Sequence, residues 1–380
     1  MEKKLSYEIL LLRSLSCLSV AMVHAVLFTF WIHEQQIDSG ILSKLLNSMR
    51  LFFNVGTPIF VFITIFLLAK NYSDDLPKNF LMKRLKYLIP PYISMGIIGS
   101  IYKVHEKELP FTFANLAVES LRNIFMADYN GYFILIIVQF ILLFYFLHHK
   151  LKNLPLKITM SVCFLINFAY LAFFNFVPPM EFLGENVANY LWYTASIVPF
   201  IGWVFYFILG YYCGKYYEKF IQVLNNHQLL VCTAPVVITL AMIALKAMDI
   251  PQVNTSKAVT YLFLVPSVIF FIFFISNKMK SIPNIIATIS DHSFGIYLTH
   301  SVLMRGFREL YSPYAANVNP LITLMVIYIS CVSGAMLISY LLNKVPFGKY
   351  IVGIARANSK IVKQKKISPM SALPQQVMRP

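Results

Sequence analysis

Long runs without a single Lys, Arg, Asp or Glu alternate with short charged clusters along this chain of 380 residues. The charge-free windows are 14–33, 51–69, 87–102, 129–149, 158–180, 186–214, 220–245, 258–277, 292–304 and 310–343. A helix crossing about 30 Å of hydrocarbon needs about 20 mostly apolar residues, so the windows predict about ten transmembrane helices. The ninth window is too short alone and is expected to borrow from residues 285–290. The tenth is longer than a span needs, so part of it is expected to be loop. An interfacial helix is expected within 70–86, feeding the third span. The fold class is therefore all-α: a polytopic integral membrane protein occupying residues 1–343. Residues 344–380 read as a basic, disordered cytoplasmic tail.

Composition agrees. Hydrophobic residues make up 58% and charged residues 13%, against about 25% charged in an average globular chain. The formal net charge of +16 would suggest a nucleic-acid partner in a soluble protein, but its distribution points to topology. With both termini cytoplasmic, the inner segments carry 22 Lys and Arg and the outer ones 9. That is the asymmetry of the positive-inside rule, and it excludes a nucleic-acid reading. The expected location is a bacterial plasma membrane, with the basic tail able to contact anionic membrane lipid. Arg13 within the first apolar run, and the lack of a small-residue cleavage site, favour a retained span over a signal peptide. Cys17, Cys163, Cys213, Cys232 and Cys331 form no CxxC pair and no zinc spacing, so no metal site is expected. No Gly-x-Ser-x-Gly, Walker, HExxH or GxGxxG pattern occurs.

An ionisable group inside a bilayer costs several kcal/mol and is a functional candidate by default. The first span holds two, Arg13 and His24. Eleven residues place them about 20° apart around a helix and roughly 16 Å apart along it, on one face. A snorkelling arginine and a structural interhelical histidine are the alternatives. The pair, together with GTPIFVFITIFLLAK, KNFLMKRLKYLIPPY, WVFYFILGYYCGKYYE and DHSFGIYLTH in that order, resembles the membrane-bound acyltransferase 3 family over about residues 5–345. LKYLIPPYISMG, NGYFILIIVQF and IGWVFYFILGYY are similar to the branch found in poly-N-acetylglucosamine (polysaccharide intercellular adhesin) operons, which has been read both as an exporter and as an O-succinyltransferase.

The resemblance implies an O-acyltransferase acting on cell-surface glycans, with no bound cofactor and with acyl-CoA (acetyl- or succinyl-CoA) as donor substrate. It implies His24 as general base and Arg13 as donor-binding residue, consistent with imidazole's capacity to take and return a proton near neutral pH. Lys83 and Arg84, where the family has a basic pair, are candidates for CoA phosphates, with inner-face anchoring as the alternative. Tyr297 and His300, neighbours at i and i+3, are candidates for substrate binding and catalysis respectively. Pro90-Pro91 is expected to break span three and line a donor channel, and Asp291 and His292 to cap the inner end of span nine. Thr64-Ile65 stands where many members have Ser-Gly, and Asn130-Gly131-Tyr132-Phe133 replaces a Trp-containing motif. In 178–195, Glu181, Glu185, Tyr190, Trp192 and Tyr193 could face the acceptor or form an interfacial belt. The implied acceptor is an extracytoplasmic polysaccharide or lipid-linked glycan, and a glycan synthase is a possible partner. Export or flipping of that glycan is the alternative function. Reporter fusions test the topology: fusions after residues 157 and 219 are expected to report the cytoplasm, and fusions after 107 and 257 the outside.

Overall fold

A computed structural model describes residues 2–355 except 35, 38, 39, 73, 74, 180–183, 249, 251–254 and 316. The tail expected beyond 355, and Glu181, lie outside the described residues. The helices are α1 (Glu2–Ile32), α2 (Ile41–Phe53), α3 (Gly56–Asn71), α4 (Phe80–Leu85), α5 (Ile89–Glu106), α6 (Phe113–Phe125), α7 (Tyr132–Asn153) and α8 (Leu156–Phe176). They continue with α9 (Glu185–Ile197), α10 (Val204–Lys215), α11 (Tyr217–Asn226), α12 (Gln228–Ala247), α13 (Tyr261–Lys278), α14 (Asn284–Ala315), α15 (Pro320–Lys344) and α16 (Lys349–Val352). The described residues contain no strand.

Among the described residues, seven stretches are long and apolar enough to cross a membrane, with α2 and α3 counted as one; the bent pair α9 and α10 would make eight. The more polar α5 and α14 occupy the third and ninth expected spans and fall below that measure. The expected ten is reached only by counting them. The ninth span did borrow from upstream: α14 runs 32 residues, and in the tenth window residues 317–319 are non-helical ahead of α15.

In hydrocarbon, burying apolar surface does not drive helices together, so close packing depends on small residues. Gly210 and Gly214, one turn apart on α10, lie against the α3 backbone: a Cβ on Gly210 would sit 2.7 Å from the Phe62 carbonyl oxygen, and one on Gly214 2.5 Å from that of Phe66. On its other side α3 meets α1, where Ser16 Oγ donates to the Gly56 carbonyl. The helix α1 packs against α3, α13, α14 and α15 and so occupies the middle of the bundle. Its buried Ser14, Ser16, Ser19, Ala21 and Ala25 allow that crowding.

Four local expectations change. Pro90 and Pro91 start α5 instead of breaking it; an N–H in the first turn has no intrahelical acceptor, so proline loses nothing there. The 186–214 window is not one straight helix. After Ile197 the chain passes Pro199 and the 3-10 turn Phe200–Trp203, and the two halves meet at 47°. Buried Lys257 donates to the Gly202 carbonyl freed at this break (3.0 Å) and lies 3.2 Å from the centre of the Trp203 ring. Burial pushes its amine well below the ordinary lysine range. The 220–245 window divides at His227 into α11 and α12. A six-residue helix, α4, stands in the 70–86 segment, and residues 349–352 of the segment read as tail form α16.

Replacing Gly214 with Leu is expected to destabilise the protein by about 1–3 kcal/mol through overpacking against α3. A lower melting temperature in detergent would register it. Gly306→Ala is the control, because the nearest atom to its added Cβ is 3.5 Å away.

Candidate active site

The site is organised on the seam between α1 and α14. Arg13 Nη2 donates to Ser293 Oγ at 3.1 Å, and farther along the same two helices the His24 and His300 rings stand 5.1 Å apart, tilted by 50°. The numbering rises together on both helices, so they run parallel. Ser293, Tyr297 and His300 follow at i, i+4 and i+7, the repeat of one helix face, and Cys17 and Ile296 pack in the seam between the two polar ends.

His300 Nδ1 lies 3.1 Å from the Ile296 carbonyl oxygen. A carbonyl only accepts, so Nδ1 carries the proton and Nε2 presents its lone pair. Among the described residues Nε2 has no hydrogen-bond partner. His300 is buried and His24 is partly so.

At the Arg13 end lies a cavity of about 490 Å³. Arg13, Lys83 and Arg84 give it a basic lining, with Asn71, Thr64 and Ser293 as further polar groups. Ile63, Leu67 and Leu68 of α3, Ile137 and Ile141 of α7, and Phe294 of α14 form apolar walls. Arg84 is held in place by the Tyr72 hydroxyl, 3.0 Å from its Nη2, and lies against the Tyr72 and Phe80 rings. Such a chamber suits a ligand with an anionic head and a long apolar or amide arm.

The cavity does not reach the histidines. Phe60 and Phe133 line it, and both pack on Tyr297 with ring centres 6.1 and 5.3 Å away. Tyr297 in turn packs on His300 at 6.0 Å. The Tyr297 hydroxyl donates to the Asn130 carbonyl at 2.6 Å, tying this aromatic column to the loop before α7.

The structure places four of the six expected site residues on the seam and two beside it: Arg13 of α1 with Lys83 and Arg84 of α4 around the cavity, His24 and His300 in contact, and Tyr297 between the groups. Phe60 and Ser293 were not singled out from sequence, because an apolar ring and a serine in a span carry no signal of their own, and Phe133 was marked only as part of a motif departing from the family pattern. Asp291 and His292 do not cap α14, which begins seven residues before Asp291. Asp291 is buried, and His292 Nδ1 lies 3.0 Å from Ser339 Oγ of α15. Of the aromatic candidates in 178–195, Trp192 packs on Phe173 and Phe174, and the Tyr190 hydroxyl donates to the Met126 carbonyl. Tyr193 is exposed, and the Glu185 side chain is not among those described.

Fold and seam together define a polytopic membrane protein with a basic chamber and a histidine pair on one pair of helices. The family model described as "Acyltransferase domain" matches residues 6–344, and the chain belongs to this acyltransferase family. It is 32% identical over 365 residues to the Bacillus subtilis protein named "Putative membrane-bound acyltransferase YfiQ", covering 95% of this chain and 97% of that one. It is 28% identical over 309 residues to a Staphylococcus aureus "Probable poly-beta-1,6-N-acetyl-D-glucosamine export protein" (80% and 83% covered). A Staphylococcus epidermidis protein of the same name is 29% identical over 312 residues (80% and 82%). No solved structure gives a significant match.

Tyr297→Phe keeps the ring in the column and removes its bond to Asn130. It is expected to cost about 1 kcal/mol, read as a small fall in melting temperature, whereas Tyr297→Ala costs about 3 kcal/mol or more by also leaving a hole.

Proposed function

We propose that this protein is a membrane O-acyltransferase that moves an acetyl or succinyl group from a cytoplasmic acyl-CoA to a hydroxyl of an extracytoplasmic exopolysaccharide such as poly-N-acetylglucosamine. One observation carries the reading: a single helix seam has a basic, apolar-walled cavity at one end and a histidine pair at the other. The family membership supports acyl transfer, and the membrane-bound acyltransferase name of the Bacillus relative agrees with it. Membrane lipid surrounds the enzyme, and a glycan synthase would deliver the acceptor.

In this reading both termini are cytoplasmic. Lys83 and Arg84 hold the donor's phosphates, and Arg13 pairs with a phosphate or polarises a carbonyl of the pantetheine arm. The arm extends along the seam, the Phe60, Phe133 and Tyr297 rings part, and the thioester carbonyl comes to His24. There His24 takes the proton of an acceptor hydroxyl as the oxygen attacks the carbonyl carbon. The tetrahedral intermediate then collapses, the C–S bond breaks, and the CoA thiolate leaves with the proton returned by His24. The products are an O-acyl ester outside and CoA–SH inside. His300, its Nδ1–H fixed by Ile296, positions the His24 ring and offers a second basic nitrogen. Only the acyl group crosses.

Export of the glycan, the activity named for the staphylococcal relatives, is the rival reading. Purified protein in liposomes, with labelled acetyl- or succinyl-CoA inside and β-1,6-linked N-acetylglucosamine oligomers outside, separates the two. Label is expected on the outer glycan as an alkali-labile ester. His24→Ala should lower the rate by about 10²-fold or more, the ordinary contribution of a general base. Movement of glycan without acylation, or wild-type transfer by a correctly inserted His24→Ala protein, would overturn the proposal.

A further inference from the structure

The family model ends at residue 344, but the chain continues in ordered form to 355 and returns to the cavity. After α15, the short α16 packs on α5, and Tyr350 stacks on Tyr87, a lining residue of the cavity, with ring centres 5.9 Å apart and planes 14° apart. Val352 is buried. Gly353 then turns the chain at φ +74°, where a side chain is strained, and its ideal Cβ would collide with the Phe294 ring. Asn343 fixes both sides of this turn. Its Nδ2 donates to the Gly353 carbonyl at 3.2 Å, and its Oδ1 accepts from the Ala355 N–H at 2.9 Å. Held in this way, Ile354 becomes part of the cavity lining that also contains Arg13, Lys83 and Arg84.

We infer that residues 349–355 are a working part of the donor site, a C-terminal strap that sets Ile354 into the cavity lining and so affects how tightly the cavity holds the phosphate-bearing thioester. The inference rests on the donor reading given above. Ile354 lines the chamber while 41% exposed, so a charged side chain at that position is not forced into a closely packed core. A charge placed there acts on whatever the three basic residues hold.

Charge of either sign at residue 354 therefore tests the wall. Labelled CoA is the probe, its binding to the detergent-purified full-length protein is the readout, and the donor KM in the liposome assay is the second measurement. Ile354→Glu competes with the phosphates for the basic residues and is expected to weaken CoA binding about tenfold, the factor set by one modest ion-pair energy. Ile354→Lys is expected to bind CoA at least as tightly as wild type. The donor KM should follow the same order, raised in Ile354→Glu and not raised in Ile354→Lys. Gly353→Ala, which displaces the strap, should raise the donor KM in the same direction as Ile354→Glu. Equal CoA affinities for the Glu and Lys variants, with binding intact in wild type, would overturn the strap alone. Failure of the wild-type protein to bind CoA would overturn the donor site and the strap with it.

Discussion

The candidate site depends on burying polar groups between α1 and α14. Within hydrocarbon a guanidinium or an imidazole gains nothing from its solvent, so it must be matched by protein, by a water-filled space, or by proximity to the headgroups. The seam provides protein partners and an adjoining cavity. Arg13 meets Ser293 and opens onto a chamber, and His24 meets His300. The close packing on small residues that brings α3 to α1 and α10 to α3 keeps the seam in the interior.

That arrangement separates two environments. The basic chamber has room for a flexible arm, whereas the histidines lie behind stacked rings of Phe60, Phe133 and Tyr297. In the reading proposed here the rings would keep a thioester donor apart from the basic nitrogens until it enters, which limits wasteful hydrolysis. The Tyr297 hydroxyl, bonded to the Asn130 backbone, couples the barrier to the loop that precedes α7. The departure of Asn130-Gly131-Tyr132-Phe133 from the usual Trp-containing motif thus falls where it can affect passage, since Phe133 is itself one of the rings.

Much of this was legible in the sequence because membranes make charge expensive. In a chain with 13% charged residues, Arg13 and His24 stand out in an apolar run, whereas Lys83 and Arg84 lie in a charged segment and were picked out only by resemblance to the family's basic pair. His300 was visible for the same reason as His24. The bends were not legible, because hydropathy records composition and not direction: the 186–214 window is apolar throughout, and only Pro199 hints that α9 and α10 meet at an angle. The meaning of Pro90-Pro91 was misread because the same residues break a helix in its middle and start one at its first turn. Gly210 and Gly214 do carry a readable signal, small residues four apart in an apolar stretch. The return of Ile354 to the cavity had none, being a long-range contact made by an ordinary apolar residue.

The partners on the seam lie far apart in the chain: Arg13 and Ser293 are separated by 280 residues. At about 5–20 residues per second of synthesis, α1 must reside in the membrane for tens of seconds before α14 exists. During that interval Arg13 has no seam to enter. Its place near the end of the first span, where a long side chain can reach the headgroup region, lets the nascent helix wait without being rejected by the bilayer. The residue proposed to grip the donor is thus also the one whose position along α1 is limited by the order in which the chain is made.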